Sequence, residues 1–212
     1  MKIHPILFST PMVQAILEGR KIMTRRILKL KGCKPFIPDP DQYDKASIFF
    51  WNKNYHPYGQ NGDILWVREK FRLIHHYGFF DYKLYQYADE NTNAYCPIID
   101  PDQIIPMSPW KPSIHMPQAA CRIFLENTDI KVERLQDITE EDAVNEGILK
   151  RENKITGEIG YLNPFRTDNL KFDSAVLAFR DLWIKINGED SWNSNPWVWV
   201  ISFERCEKPE NF

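Results

Sequence analysis

The sequence predicts an α+β fold built around a mostly antiparallel sheet or a small barrel made from one. Three observations carry that expectation. Short strand-like apolar stretches and helix signals are interspersed, yet never settle into the strand–helix–strand rhythm of a parallel sheet. Seven Trp, nine Tyr and thirteen Phe stand beside fifteen Pro, a composition that suits a β-rich body with ordered, proline-punctuated loops. No stretch of the 212 residues has linker composition, so the chain reads as one domain over 1–212.

The elements follow in order. Residues 3–8 (Ile-His-Pro-Ile-Leu-Phe) read as a short strand. Thr10 followed by Pro11 reads as an N-cap with proline at the first helical position, and Gly19 as the stop, with Met12, Ala15 and Ile16 at helical spacing between them. Residues 30–61 and 89–118 are rich in Pro and read as ordered insertions; Asp-Pro-Asp-Gln recurs in both, at 39–42 and 100–103, as a reused turn. Gly62-Asp63 is a turn into the strand Ile64-Leu65-Trp66-Val67-Arg68, and further strands are expected at 83–88, 120–126 and 129–135. Thr139-Glu140-Glu141-Asp142 opens a second helix, which Gly147 closes. Asp173 or Ser174 caps a longer helix ending at Gly188, with Val176, Phe179, Trp183 and Ile186 on one face. Residues 197–203 alternate well enough for a half-buried closing strand.

Composition also excludes function classes. Lys and Arg number 27 against 29 Asp and Glu, a net charge of −2, which argues against a coat that binds nucleic acid through bulk positive charge. Apolar runs are too short for a membrane helix and the N-terminus lacks a signal-peptide core, so the expectation is a cytoplasmic protein with no membrane partner. Cys33, Cys96, Cys121 and Cys206 form no CxxC pair, and His75-His76 has no acid or thiol at ligand spacing; no metal and no cofactor are expected.

Chemistry-bearing residues cluster in four places. In the segment from Gly19 to Arg26, four cations (Arg20, Lys21, Arg25, Arg26) and the hydroxyl of Thr24 fall within seven positions. It is either a solvated basic turn or an anion site whose crowded cations make Lys21 a usable base. In an extended chain Thr24 and Arg26 point to one face and Arg25 to the other. Trp66 and Arg68 share the solvent face of their strand, where they stack a base or simply cover the sheet, and Glu69 beyond them is placed to pair with an arginine. Trp110, Lys111 and His115 lie in a loop bounded by Pro109 and Pro117. Glu146 ends its helix beside the negative pole of the macrodipole, either as a frayed surface acid or as one held by a cation.

Gly19-x-Lys21-x-x-Thr24-x-Arg26 resembles the signature of the ASCH domain family. The Gly-Asp turn at 62–63, the Thr-Glu-x-x-Ala-x-x-Glu helix at 139–146 and a closing apolar strand follow in the family's order. The segments Gly-Asp-x-Leu-Trp-Val-Arg-Glu and Trp-Lys-Pro-Ser-x-His-Met-Pro are similar to those of longer members from phages and prophages. The resemblance implies a PUA-like, mostly antiparallel β-barrel with flanking helices, here carrying insertions at about 28–61, 71–118 and 149–172. It also implies metal-independent amide hydrolysis on an acylated cytidine-like nucleoside or nucleobase, as in a small bacterial member that deacetylates acetylcytidine. Lys21, Thr24 and Glu146 would be catalytic, with Thr24 as nucleophile, Lys21 as its base and Glu146 orienting Lys21 or returning a proton. Arg26, Trp66, Glu69, Trp110, Lys111 and His115 would contact the substrate. The alternatives are an RNA-binding module or ribonuclease contacting phosphates through residues 20–26, Arg20 and Arg25 included, and a phage protein that keeps the fold without catalysis.

Overall fold

The computed structural model describes residues 1–28, 57–76, 84–88, 104–210 and 212. Both Asp-Pro-Asp-Gln turns, Cys33 and Cys96 lie outside these residues, as do most of the insertion at 28–61 and the side chains of His75 and His76.

The body is a five-stranded sheet ordered β1-β3-β7-β11-β2, formed by β1 (Ile3–Leu7), β3 (Ile64–Arg68), β7 (Phe124–Arg134), β11 (Trp197–Cys206) and β2 (Met23–Ile27). Only the β1–β3 pairing is parallel; β3–β7, β7–β11 and β11–β2 are antiparallel. The chain is therefore α+β with a mostly antiparallel sheet, joined by four α-helices among the described residues. Two small antiparallel sheets flank it. One is β5 (Leu84–Tyr87), β4 (Phe71–His76) and β6 (Ile104–Pro106); the other is β10 (Lys171–Phe172), β9 (Ile159–Leu162) and β8 (Leu149–Glu152).

Both faces of the main sheet are covered. On one, Leu65, Val67, Leu125, Trp199, Ile201 and Phe203 pack with Val13 and Ile16 of helix α1 (Thr10–Leu17). On the other, Met23, Val198 and Val200 pack with Ala143 of α2 (Glu140–Asn145), with Ala178, Phe179, Leu182 and Trp183 of α3 (Ala175–Asn187) and with Trp192 of α4 (Glu189–Asn193). This changes the expected half-buried closing strand: Val198, Trp199, Val200 and Ile201 are all buried, because β11 is central and helices lie on both of its sides.

Other expectations shift locally. Ser9, not Thr10, is the N-cap of α1, and it makes no side-chain cap bond; Pro11 in the first turn and Gly19 at φ 72° still delimit the helix. Phe8 before the cap and Val13 inside the helix share the core as a hydrophobic staple. The two strands expected at 120–126 and 129–135 are one, β7, which passes the polar Asn127-Thr128 break through a bulge opposite Ser202 and Phe203. Thr139 caps α2 by accepting from the Asp142 N–H at 3.1 Å, and Ser174 caps α3. Ile186 is 48% exposed, since the apolar stripe of α3 ends at Trp183, where α4 closes it with Trp192.

No backbone pairing joins the two edge strands, so the described pairings form an open sheet rather than a closed barrel. The edges nevertheless approach each other. Arg26 Nη2 on β2 donates to the Leu7 carbonyl on β1 at 2.6 Å.

Candidate functional site

Local chain geometry builds the site at the β2 edge. After α1 stops at Gly19, the Arg20 and Lys21 N–H groups both donate to the Ala15 carbonyl, which turns the chain and aims it past the C-terminus of α2. Lys21 forms an isolated antiparallel bridge with Glu146, and the Ile22 N–H donates to the Asn145 carbonyl at 3.0 Å. Gly147 follows at φ 102°, a left-handed conformation that glycine takes without strain; a β-carbon there would come within 3.3–3.4 Å of Ala15 and Lys21.

This docking joins residues 125 positions apart. Lys21 Nζ donates to Glu146 Oε2 at 2.6 Å and to the Glu146 carbonyl at 2.8 Å. The Lys21 side chain has no exposed surface, and Glu146 is 4% exposed. Burial pushes the Lys21 ammonium below the ordinary lysine value; Glu146 opposes that, and Arg26 and Arg25 add to it. Glu146 Oε1 is buried with no hydrogen-bond partner, 3.6 Å from Arg25 Nη1. Thr24 is 2% exposed, and no hydrogen bond joins it to Lys21 or Glu146.

Cross-strand register sorts the rest of β2 by face. Thr24 opposes Ile201 and Arg26 opposes Trp199, on the α1 side; Arg25 opposes Val200, on the α2 and α3 side. Arg25 is 4% exposed and paired, its Nη2 lying 2.7 Å from Asp142 Oδ2 and 3.3 Å from Glu133 Oε2. Arg20 donates to Glu18 and to the Gly147 carbonyl. Neither presents the free guanidinium that a phosphate-contacting rim needs.

Trp66 and Trp110, expected to contact the substrate, stand away from Lys21. The ring beside Lys21 is Phe8, with Nζ 5.9 Å from its centroid, and Arg26 lies over the same ring at 5.1 Å. Trp66 cannot take that place, because Leu65 and Val67 face the Phe8 side and strand alternation sends Trp66 to the other, against Phe212 and Arg68. Trp110 is on the small sheet beneath Lys70 and Arg72, next to Lys111, whose backbone pairs with Phe71. His115 is exposed in a 3-10 turn, Ser113–His115, which Arg68 anchors through the Ile114 carbonyl. Glu69 meets the arginine anticipated for it: Arg122 Nε and Nη2 bind its two oxygens at 2.8 Å each, with Arg122 stacked on Tyr87. That pair ties the loop after residue 115 to the turn between β3 and β4. Lys21, Thr24 and Glu146 are all buried, so none of the three opens to solvent.

Sequence reasoning missed Phe8, Asp142 and Glu133. The signals were present for two of them. Phe8 precedes a helix cap, where a staple residue belongs, and Asp142 stands one helical turn before Glu146, on the same face. Glu133 reaches Arg25 only through strand pairing, which no local pattern encodes.

Other regions offer less chemistry. A shallow depression lined by Arg166, Thr167, Asp168, Asp181, Ile184 and Lys185 has its charges paired, Arg166 with both Asp168 and Asp181. Burial pushes the Cys121 thiol up to about 11 and raises that of Cys206, so neither is a thiolate at neutral pH. Among the described residues, no three His, Cys, Asp or Glu side chains form a group able to hold a metal ion, and no helix is long and apolar enough to cross a membrane. No family model, no curated protein and no solved structure matches this chain.

Proposed function

We propose that this chain is an amidohydrolase of the ASCH kind, acting on an N-acylated nucleoside or nucleobase through Lys21, Thr24 and Glu146. The observation that supports it is the buried contact between Lys21 Nζ and Glu146 Oε2, 2.6 Å long, in a place where burial and two arginines disfavour the ammonium. A purely structural salt bridge has no need of further cations around its lysine. A lysine base does, because its free amine must be populated near neutral pH.

In the proposed reaction the Thr24 hydroxyl attacks the acyl carbon while the neutral Lys21 amine takes its proton. Negative charge grows on the acyl oxygen, and Arg26 is the candidate donor to it: Nη2 is held by the Leu7 carbonyl, while Nε is buried without a partner. The C–N bond then breaks and the proton passes from Lys21 to the leaving amine. Glu146 holds Lys21 through Oε2, and Oε1, which accepts no hydrogen bond, assists that transfer. Water then attacks the Thr24 ester, releasing the carboxylic acid and restoring the hydroxyl. A PUA-like barrel belongs to the same proposal, with the Arg26–Leu7 bridge standing where backbone closure would be, as does a cytoplasmic setting.

The test is incubation of the folded chain with acetylcytidine and a small panel of acylated nucleosides, following release of the free amine. Turnover that Lys21→Met and Glu146→Gln both abolish is the expected result. Absence of turnover across the panel refutes the proposal.

A further inference from the structure

We propose that Arg25 is a positioning residue for this site: from an anchor on Glu133 and Asp142 it stands against Glu146 Oε1, so that one carboxylate serves two cations and Lys21 receives only part of its charge. The relevance of this to catalysis rests on the reading of Lys21 as a base; the electrostatic arrangement itself does not.

Charges alternate along a connected line. Lys131, 42% exposed in its side chain, lies 2.7 Å from Glu133 Oε1. Glu133 Oε2 lies 3.3 Å from Arg25 Nη2, which Asp142 holds more tightly at 2.7 Å. Arg25 Nη1 is 3.6 Å from Glu146 Oε1, and Glu146 Oε2 is 2.6 Å from Lys21. Three elements thus face the Lys21–Glu146 pair: β2 supplies Arg25 and Arg26, α2 supplies Asp142, and β7 supplies Glu133 backed by Lys131. Tyr58 acts on the far side, through Arg26.

The spacing is informative. Arg25 bonds closely to Asp142 but stops short of a hydrogen bond with Glu146, although the two acids stand one turn apart on α2 and its C-cap. A guanidinium serving only to neutralise Glu146 would close that gap. Held back, it acts on Glu146 and Lys21 by charge rather than by contact, and in a buried setting such charge is felt over several ångströms. The acids that hold Arg25 also set how much of its charge is left over. Removing Arg25 and removing its anchor should therefore act in opposite directions on Lys21.

The experiment follows the Lys21 Nζ titration by NMR in the full chain with isotope-labelled lysine, assigned by the signal lost in Lys21→Met. In Arg25→Gln the midpoint should rise by about one pH unit, as Glu146 is left to Lys21 alone. In Glu133→Gln it should fall, because Arg25 loses a neutralising partner, and Arg25→Lys should return it toward the wild-type value. A role in packing alone would loosen the site in both glutamine variants and move both midpoints upward, toward exposed lysine. Equal shifts, or none, overturn the proposal. If Arg25→Gln does not fold, Glu133→Gln decides alone: a fall supports the assignment and anything else refutes it. Because no substrate is involved, this outcome is separate from the turnover test.

Discussion

Removing one partner of the Lys21–Glu146 pair should be among the most damaging single changes to this fold. Glu146→Gln keeps the shape but leaves the Lys21 ammonium, with no exposed side-chain surface, facing two arginines without its counter-ion. Breaking a buried ion pair from one side costs about 3–5 kcal/mol. For a chain of this size each kcal/mol moves the melting temperature by about 2–4 °C. Lys21→Met should cost less, because Glu146 then still has Arg25 at 3.6 Å. The double variant should be far better than the sum of the singles, with a coupling of about 1–3 kcal/mol by urea unfolding. The pH dependence gives a second reading. Lys21 binds its proton less readily folded than unfolded, so stability rises with pH between its depressed folded value and the unfolded lysine value of about 10.4. Glu146→Gln should steepen that rise and carry it to lower pH. Additive single effects, or a rise of unchanged slope in Glu146→Gln, would refute the account of the pair.

Two further expectations come from other contacts. Glu140 accepts from the Ser174 hydroxyl and the Ala175 N–H at the start of α3; desolvation opposes, but these bonds outweigh it and hold the carboxyl below the ordinary range. Its contribution is present above the unfolded carboxylate value and lost as pH falls through the folded one; because the carboxyl is exposed and screened by solvent, Glu140→Gln should cost only about 0.5 kcal/mol at neutral pH and flatten the acid limb of the stability curve. Arg122→Met removes two hydrogen bonds from Glu69, 2% exposed, and should loosen the loop over residues 113–121; faster amide exchange there in the variant, with β11 unchanged, is the measurement that checks it.

What the sequence made legible follows from the range of the forces involved. The α2 start was readable because Thr139 and the acids after it act within one turn, and the Gly19 stop because a left-handed residue is a local demand. Thr24 and Arg26 on one face and Arg25 on the other followed from the two-residue period of an extended chain. Motif resemblance pointed to Lys21 and Glu146, but nothing local brings them together; that takes the docking of α2 on the turn after α1. Trp66 follows the same period, opposite Leu65 and Val67, but only the packing of those two residues decides which face of the strand meets Phe8. Arg25 could be read only as part of a solvated basic turn, an anion site or a phosphate-contacting rim, because its partners are remote in sequence. Its acids come from a helix and a strand more than 100 residues away, at 108 and 117 positions.

The Arg26–Leu7 bond has a consequence for how copies of this chain meet. Lys2 and Phe8 direct their backbone groups toward β3, through the Lys2 carbonyl and the Phe8 N–H, which leaves the groups of Ile3, Pro5 and Leu7 along the outer margin of β1. A strand margin of that kind is a template on which a second molecule can add its own strand. Here the template is spoiled at two successive points. Pro5 has no N–H to donate, and the Leu7 carbonyl is already occupied by a guanidinium from the opposite margin of the same sheet. An incoming strand would find one donor missing and one acceptor taken, so the side chain that spans the gap in the sheet also guards it against edge-to-edge aggregation.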